Sequence, residues 1–280
     1  MPELPEVELI RRQLTDEVLG RVFTEAVFDP ENGNSLKLRQ KKDLEAILPG
    51  KKILKAGRRG KHLFLSLTDD YHLMFHLKMT GRLLLRGLNG QIDEFLRLTL
   101  KLDDERELRF TDRARFADVF LWDNEDLVAL DNKLGPEPDD AITDYLQQAL
   151  SSTKLSNIKE ALLDQSILAG VGNINADEAL FVAKIHPKRE PATVSKEDAE
   201  ILLSSIKQVL EKDLANGGST IDSYLNLYGE PGKNQESFYV YGRAGEPCRD
   251  CSTPIELIEI SSRRTHFCPS CQKKDSLTLF

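Results

Sequence analysis

Cysteine is scarce in this chain of 280 residues, because only four occur and all of them lie between residues 248 and 271. Any metal chemistry of cysteine is therefore confined to the C-terminal end. Four of the five histidines, His62, His72, His186 and His266, show no metal-ligand spacing of their own. The sequence also lacks a run of 18 apolar residues, so no membrane span is predicted. It shows no signal-peptide pattern, and we expect a cytoplasmic protein.

An excess of positive charge is lacking too, since 46 acidic residues outnumber 38 basic ones and give a net charge of −8. This balance argues mildly against nucleic-acid binding, which requires a positive surface. The segment 51–61 nevertheless contains six basic residues and no acidic one. It is either an ordinary solvated face or part of a basic groove on an acidic body.

The chain begins Met1-Pro2-Glu3, and removal of Met1 would leave Pro2 with a free secondary amine. An α-amino group has a reference pKa of about 7.7–8.0, so much of it is an uncharged nucleophile near neutral pH. Such an amine suits Schiff-base chemistry, and Glu3 lies beside it as a proton donor or acceptor. The simpler interpretation is a helix start, since proline favours the first turn and apolar residues follow at helical spacing up to Gly20.

The four cysteines form two Cys-x-x-Cys pairs with 16 residues between them, Cys248 with Cys251 and Cys268 with Cys271. This spacing is typical of a closed tetrahedral site for one structural Zn²⁺. Two disulfides are the alternative, which a cytosolic location disfavours.

The residues between the two cysteine pairs have apolar positions that predict a β-hairpin, with Arg263 and Arg264 at its tip. These arginines are either solvated or available to enter a nucleic-acid groove and hold phosphate. The hairpin alone does not distinguish the two.

Between residues 20 and 135 the sequence reads mainly as β-strands. The signal is clearest where leucines alternate with polar residues over Leu96–Leu102. Further strands are predicted at 63–67, 83–85 and 118–122. A β-sandwich or barrel-like domain with an attached N-terminal helix follows from this pattern.

Leu134–Pro138 breaks the strand pattern, and from there to about residue 217 the spacing is helical. Ser195 is the predicted N-cap of the last helix. Gly170–Asn173 lies between predicted helices at 158–168 and 174–184. It is either a plain glycine turn or a phosphate-binding helix start.

The fold class predicted is therefore α+β and multi-domain. The predicted domains are an N-terminal β-sandwich with its helix over 1–135, a helical domain over 136–237, and a zinc β-hairpin finger over 238–280. We expect a monomer.

Taken together, these motifs resemble the formamidopyrimidine-DNA glycosylase family, the bacterial base-excision enzymes that remove oxidised purines. The resemblance runs along essentially the whole chain. The related endonuclease VIII branch usually has glycine at the position of Leu4, so the opening favours the formamidopyrimidine branch. The matching motifs are Pro2–Glu6, Arg59–Lys61, His76–Gly81, Leu134–Pro138, Gln165–Ile174, Ala176–Phe181, and Val240–Cys248 followed by the zinc finger.

The resemblance implies a role for each matching residue. Pro2 would attack C1′ of a flipped nucleotide, Glu3 would give acid–base help at the sugar, and Lys61 would approach the damaged nucleotide and its phosphate. Asn173, within a helix-two-turn-helix, and Arg263, in the finger, would hold phosphates. A base inside a duplex must be extruded at a cost of a few kcal/mol, which phosphate contacts and gap-filling side chains offset.

The gap left by the flipped base is filled in the family by a methionine, an arginine and a phenylalanine. Met79 and Phe116 match, but Ala114 stands at the position of the arginine. Arg113 and Arg115 are the side chains available to compensate, and we assign Arg115 to DNA binding with the two matching residues. The lesion-capping loop also departs from the family, since Gly232–Gln235 replaces an aromatic stretch.

The sequence therefore predicts a bifunctional DNA glycosylase and abasic-site lyase that acts on double-stranded DNA with damaged bases or abasic sites. We expect a bacterial protein that is nucleoid-associated when acting. The two departures leave alternatives open: the same chemistry with a lesion preference other than 8-oxoguanine, or a damaged-DNA-binding protein without base excision. The preferred lesion and opposite base do not follow from the sequence.

Overall fold

A computed structural model describes residues 1–29, 41–87, 90 and 93–274. The chain divides into two compact units. One consists of Met1–Asn132 with Asp213–Gln235, and the other of Lys133–Lys212 with Glu236–Phe280. The predicted domain limits at 135 and 237 stay a prediction.

The first unit is a β-sandwich with helices at its margins. Among the described residues its strands form two antiparallel four-stranded sheets, ordered β1-β6-β7-β5 and β2-β3-β4-β8. The strands are β1 (Phe23–Phe28), β2 (Ile53–Arg59), β3 (His62–Leu67), β4 (His72–His76), β5 (Gly81–Gly87), β6 (Leu96–Leu102), β7 (Arg106–Asp112) and β8 (Asp118–Trp122). The helices are α1 (Leu4–Val18), α2 (Lys41–Ile47) and α3 (Asn124–Asp131).

One apolar core joins the two sheets and α1. It contains Ile10 and Leu14 of α1, Leu63 of β3 and Leu98 and Phe110 of the other sheet, all fully buried. Burial of a leucine or phenylalanine side chain stabilises by about 1.5–3 kcal/mol. This core therefore fixes the N-terminus of α1 against the sandwich.

The second unit contains three helices, all but the last turn of a fourth, and a β-hairpin within the described residues. The helices are α4 (Thr143–Ser152), α5 (Ile158–Leu163), α6 (Asn173–Val182) and α7 (Lys196–Ala215), and the hairpin strands are β9 (Glu256–Ile260) and β10 (Arg263–Phe267). Ser195 caps α7 as predicted, because its Oγ accepts a hydrogen bond from the Asp198 amide at 3.0 Å. The predicted class, with sandwich, helical part and hairpin finger, is confirmed.

The helix predicted over 158–168 is wrong beyond residue 163. Asp164 stops it, because its side-chain oxygen accepts hydrogen bonds from both the amide and the hydroxyl of Ser166, at 2.9 and 2.7 Å. Asp and Asn favour such turns by offering the backbone an alternative to the helix. In the part of the chain that the structure describes, no helix is both long enough and apolar enough to cross a bilayer.

Candidate active site

The N-terminus is held at the start of α1. Pro2 and Glu3 are both buried, whereas Met1 is 45% exposed. The amide of Glu3 donates to a carboxylate oxygen of Glu6 at 2.7 Å, which satisfies one of the free donors at the helix start. The residue that would carry the amine is therefore fixed in place.

Lys61 lies on the turn between β2 and β3, where Gly60 has a φ of +55°. Arg58 connects this turn to α1: its Nη1 donates to the Gly60 carbonyl at 2.9 Å, and its Nε donates to Glu8 at 3.2 Å. Lys61 itself is buried. The turn that carries this lysine is thus tied to the helix that begins just after Pro2.

Two buried carboxyl groups meet at Ser219. Glu6 accepts from the Ser219 amide at 2.7 Å, and Asp213 accepts from the Ser219 hydroxyl at 3.0 Å. Burial, and then the charge of Glu3, raise the pKa of Glu6 to about 7. Burial, and then the charge of Glu6, raise the pKa of Asp213 to about 9. Two carboxyls this close do not both ionise readily, so the pair retains a proton at neutral pH.

The raised pKa of Asp213 makes stability fall with rising pH. The unfolded chain releases this proton near pH 4, whereas the folded chain holds it up to about pH 9, so stability is lost between these values. Asp213→Asn keeps the acceptor for Ser219 but does not ionise. We expect the unfolding temperature of the wild type to fall more steeply from pH 5 to pH 9 than that of the variant. Parallel curves in a thermal-shift series would contradict this.

The predicted gap-filling side chains Met79 and Phe116 are exposed, whereas the loops that carry them are held by hydrogen bonds. Met79 is 54% and Phe116 59% exposed, which is unusual for large apolar side chains. Beneath them, the Thr80 hydroxyl donates to Asp112 at 2.5 Å and accepts from the Ala114 amide at 2.8 Å. The structure therefore brings the loop after Met79 against the loop that carries Phe116.

Asp112 is itself anchored by a buried arginine. Arg97 Nε and Nη2 both donate to the Asp112 carbonyl, at 2.9 and 2.5 Å. The Asp112 carboxylate also accepts from the Ala117 amide at 2.9 Å, closing the loop 112–117 on itself. Arg115 is exposed on this loop, with a left-handed φ of +62°.

The predicted lesion-capping loop, residues 219–231, closes on a tight neck at Gly218 and Gly232. A Cβ on Gly232 would collide with the carbonyl of Gly218, so only glycine fits there. Next to it, the Asn234 amide donates to the Gly218 carbonyl at 3.0 Å, and the buried Asn234 side chain donates to the Ser219 hydroxyl at 3.0 Å. Gln235 accepts from the Thr220 amide at 2.9 Å. The polar stretch Gly232–Gln235, which stands where the family has an aromatic one, therefore holds the neck closed by hydrogen bonds.

In the second unit, Asn173 contacts the backbone of the strand that begins with Arg263 and Arg264. Asn173 begins α6 and its Nδ2 donates to the carbonyl of Arg264, at 3.0 Å. Arg263 and Arg264 are exposed at the start of β10, after a turn in which Ser261 and Ser262 have left-handed φ values. A helix N-terminus beside two exposed arginines is chemically suited to hold phosphate.

A buried ion pair holds the start of α6 against α5 and the hairpin. Lys159 of α5 donates to Asp177 of α6 at 2.5 Å and to the Asn173 carbonyl at 2.7 Å, and both charged side chains are fully buried. The other oxygen of Asp177 accepts from the His266 amide of β10 at 2.9 Å. One carboxylate therefore joins both helices to the hairpin.

The four cysteines converge as the spacing predicts. Their sulfur atoms all lie within 4.8 Å of one another. Tetrahedral zinc with Zn–S bonds of about 2.3 Å requires sulfurs roughly 3.8 Å apart, and the Cys248–Cys271 and Cys251–Cys268 separations are 3.9 and 3.4 Å. The cluster fits one structural Zn²⁺, which leaves no open coordination position for catalysis.

The sequence analysis missed a buried glutamate that joins α6 to the segment before the zinc finger. Glu178 of α6 is buried and accepts hydrogen bonds from three successive amides, those of Tyr239, Val240 and Tyr241, at 2.8–2.9 Å. Burial raises its pKa. A glutamate inside the apolar run of α6 was the available signal, because an acid there must find buried donors.

Three family models match successive parts of the chain. The formamidopyrimidine-DNA glycosylase N-terminal domain matches residues 1–119. The H2TH domain of formamidopyrimidine-DNA glycosylase matches residues 134–224. A zinc finger found in FPG and IleRS matches residues 245–274. Their order follows that of the sandwich, the helices and the hairpin.

Bacterial relatives are similar over nearly the whole chain. The formamidopyrimidine-DNA glycosylase of Herpetosiphon aurantiacus is 42% identical over 274 residues, 97% of this chain and 100% of the relative. That of Chloroflexus aurantiacus is 40% identical, over 97% of this chain and 98% of the relative.

Solved complexes with damaged DNA are similar in structure. Lactococcus lactis FPG with a DNA containing an abasic site has a TM-score of 0.89 at 35% identity and covers 98% of this chain and 100% of its own. MutM in complex with a DNA containing carbocyclic 8-oxo-G has the same TM-score, identity and coverage.

Proposed function

Because the chain belongs to the formamidopyrimidine-DNA glycosylase family, we propose that Pro2 is the nucleophile with which it excises a damaged base and cleaves the strand. The activity is that of a DNA glycosylase and abasic-site lyase of base excision repair. The observation that carries the assignment is the buried Pro2-Glu3 start, fixed to α1 in a chain that matches its relatives from end to end.

The proposed chemistry begins once Met1 has been removed. The Pro2 nitrogen bonds to C1′ of the extruded nucleotide, and the bond from C1′ to the base breaks as the base leaves with a proton. Glu3 protonates the ring oxygen while the sugar opens and an iminium forms. Loss of a C2′ proton then expels the 3′ phosphate, a second elimination expels the 5′ phosphate, and water releases Pro2.

Lys61 is proposed to contact the damaged nucleotide and its phosphate. Its burial beside α1 supports this role, because a charge in a site shielded from water interacts more strongly with an anion. Met79, Phe116 and Arg115 are proposed to fill the gap in the duplex and hold its backbone. Exposed apolar side chains on a rigid base can be inserted between base pairs without costly rearrangement of the loop.

Asn173 and Arg263 are proposed to hold phosphates next to the lesion. The N-terminus of α6 has no side-chain cap and carries the positive end of the helix dipole, and the exposed Arg263 is positioned by the zinc hairpin. The proposed domain roles follow: catalysis within 1–135, DNA binding and lesion capping within 136–237, and the finger within 238–280. We further propose a cytoplasmic, monomeric protein that associates with the nucleoid when acting.

A shifted lesion preference is the second candidate. Ala114, in the place of an arginine, and the polar neck at Asn234 and Gln235 favour it, since both affect recognition and leave Pro2 untouched. A damaged-DNA-binding protein without base excision is the remaining alternative.

Borohydride trapping tests the activity and ranks the lesions. Duplexes carrying an abasic site, 8-oxoguanine or a formamidopyrimidine are incubated with protein whose mass shows the loss of Met1. Borohydride reduces the iminium to a stable covalent adduct. We expect an adduct at the abasic site, and adducts at those base lesions that the protein excises. Tight binding without any adduct would support the damage-binding alternative instead.

A further inference from the structure

Glu6 joins the residue next to the proposed nucleophile to the neck of the capping loop. One of its carboxylate oxygens accepts from the Glu3 amide and the other from the Ser219 amide, both at 2.7 Å. Glu3 directly follows Pro2, and Ser219 is the first residue of the loop 219–231. Both oxygens are therefore engaged, and any displacement of Glu6 would release Glu3 beside the reacting amine.

Asp213 extends this chain of hydrogen bonds through Ser219. Its carboxyl accepts from the Ser219 hydroxyl at 3.0 Å, and that hydroxyl accepts in turn from the Asn234 side chain at 3.0 Å. Asn234 belongs to the polar stretch Gly232–Gln235, which stands where the family has an aromatic one. The polar cluster at the neck is thus a feature of this chain and not of the family pattern.

The cluster contains two buried acids and no positive charge. Asp213 is 1% and Glu6 2% exposed, and among the described residues neither carboxyl has a cationic partner. The titratable groups that face them are Glu3, which adds a negative charge, and the buried phenol of Tyr224, whose pKa is raised by burial and then by both carboxyls. Two carboxylates here would repel each other strongly, because a low dielectric strengthens the repulsion. The cluster is therefore stable with a proton held between Glu6 and Asp213.

On the basis of the function proposed above, we infer that Asp213 is a positioning residue for this reaction, which acts through Ser219 to keep Glu6 on the Glu3 amide. Asp213 does not touch the substrate. When the last proton leaves the pair, Glu6 and Asp213 move apart, water enters between them, and Glu3 is no longer fixed beside Pro2. The reaction therefore requires a protonated pair as well as an unprotonated Pro2 amine.

These two requirements predict a bell-shaped dependence of the rate on pH. The rate rises as the Pro2 amine loses its proton, and it falls as the pair loses its own. Because the pKa of Glu6 is about 7 and that of Asp213 about 9, the midpoint of the falling limb lies between these values. It belongs to the pair and not to either residue alone. Above the midpoint the rate should fall by about tenfold for each pH unit, as the protonated fraction does.

Single-turnover cleavage of an abasic-site duplex, with the protein in excess and the pH varied from 6 to 10, tests this inference. An abasic site has no base that titrates, so the profile reports the protein once protein-free cleavage is subtracted. We expect the wild-type rate to fall by about tenfold or more from its maximum to pH 10. Asp213→Asn keeps an acceptor for Ser219 but cannot ionise. Its profile should therefore lack the falling limb, and the ratio of its rates at pH 8 and pH 10 should approach one.

Three further variants separate the charge of the pair from its hydrogen bonds. Asp213→Glu keeps an acid at this position, so the falling limb should remain. Glu6→Gln offers one acceptor oxygen to two amides, so its rate should be lower than that of the wild type at every pH. Glu211→Gln neutralises an exposed acid of the same helix and should reproduce the wild-type profile. The inference is overturned if the wild type has no falling limb, if Asp213→Asn keeps it, or if Glu211→Gln removes it.

Failure of the proposed function gives a different pattern. If the wild type forms no borohydride adduct and cleaves no abasic site at any pH, both proposals fail. If the wild type and Asp213→Asn form the adduct with the same pH profile, the catalytic proposal stands and only the role of Asp213 fails. Unfolding temperatures above the assay temperature at pH 10 would show that the falling limb does not arise from unfolding.

Discussion

Pro2→Gly is expected to lose base excision and covalent trapping, with single-turnover cleavage falling by roughly 10³-fold or more, as when other covalent nucleophiles are removed. The variant retains a terminal amine. It loses the ring that fixes the backbone and the secondary amine that forms a charged iminium directly. Because Pro2 is buried at the start of α1, the flexible glycine no longer holds the amine in position.

A second variant removes the amine altogether. One glycine inserted between Met1 and Pro2 places the Pro2 nitrogen in a peptide bond, where it is no longer nucleophilic. Both variants should still bind a duplex that carries a tetrahydrofuran abasic-site analogue, since the DNA contacts proposed for Met79, Phe116 and Asn173 are unchanged. Cleavage at the wild-type rate in either variant would instead assign the nucleophile to another amine, of which the buried Lys61 is the first to test.

Among the variants described here, Lys159→Met should cause the largest loss in the free energy of unfolding. It leaves the fully buried Asp177 carboxylate without its cation, and breaking a buried pair in this way costs about 3–5 kcal/mol. The loss should appear as faster hydrogen exchange in α5, α6 and the hairpin, because Asp177 also holds the His266 amide. Exchange followed by mass spectrometry locates it without assuming two-state unfolding of the whole chain.

The matched control is Lys196→Met, which breaks the exposed pair with Asp144. We expect little change there, since such pairs are screened by solvent. The double variant Lys159→Met with Asp177→Asn should recover part of the stability, because no charge is then left buried. If the amides of α5, α6 and the hairpin exchange as slowly in Lys159→Met as in Lys196→Met, the pair of Lys159 with Asp177 does not stabilise these elements.

The sequence predicted those elements whose signal is local. The strands at Leu96–Leu102 and 118–122 were placed to the residue, because leucines alternate with polar residues along the first and the second is a short run rich in β-branched and aromatic residues. The zinc cluster followed from cysteine spacing alone. Ser195 and the hairpin were likewise found from neighbouring residues, but Arg263 and Arg264, predicted at the hairpin tip, begin β10 after the turn at Ser261 and Ser262.

What the sequence could not show depends on partners far along the chain. Arg97 appears as the polar residue of an alternating strand, yet it is buried on the Asp112 carbonyl. Lys159 resembles any helix-surface lysine, and only the fold brings Asp177 and Asn173 to it. A buried polar group depends on hydrogen-bond partners that only the fold brings near. The spacing of apolar residues therefore wrongly predicts that such a group lies on the surface.

Gly218 and Gly232, at the neck of the loop 219–231, mark positions where no other residue fits. A Cβ on Gly232 would collide with the Gly218 carbonyl, and a Cβ on Gly218, whose φ is +86°, would collide with the ring of Tyr224. The loop 219–231 between them can lengthen at little entropic expense, about 0.6 kcal/mol for each doubling of its length. Because Tyr224 and Leu227 of this loop belong to the sandwich core, such insertions are best tolerated at its exposed positions, such as Ile221, where the neck and the core contacts stay unchanged.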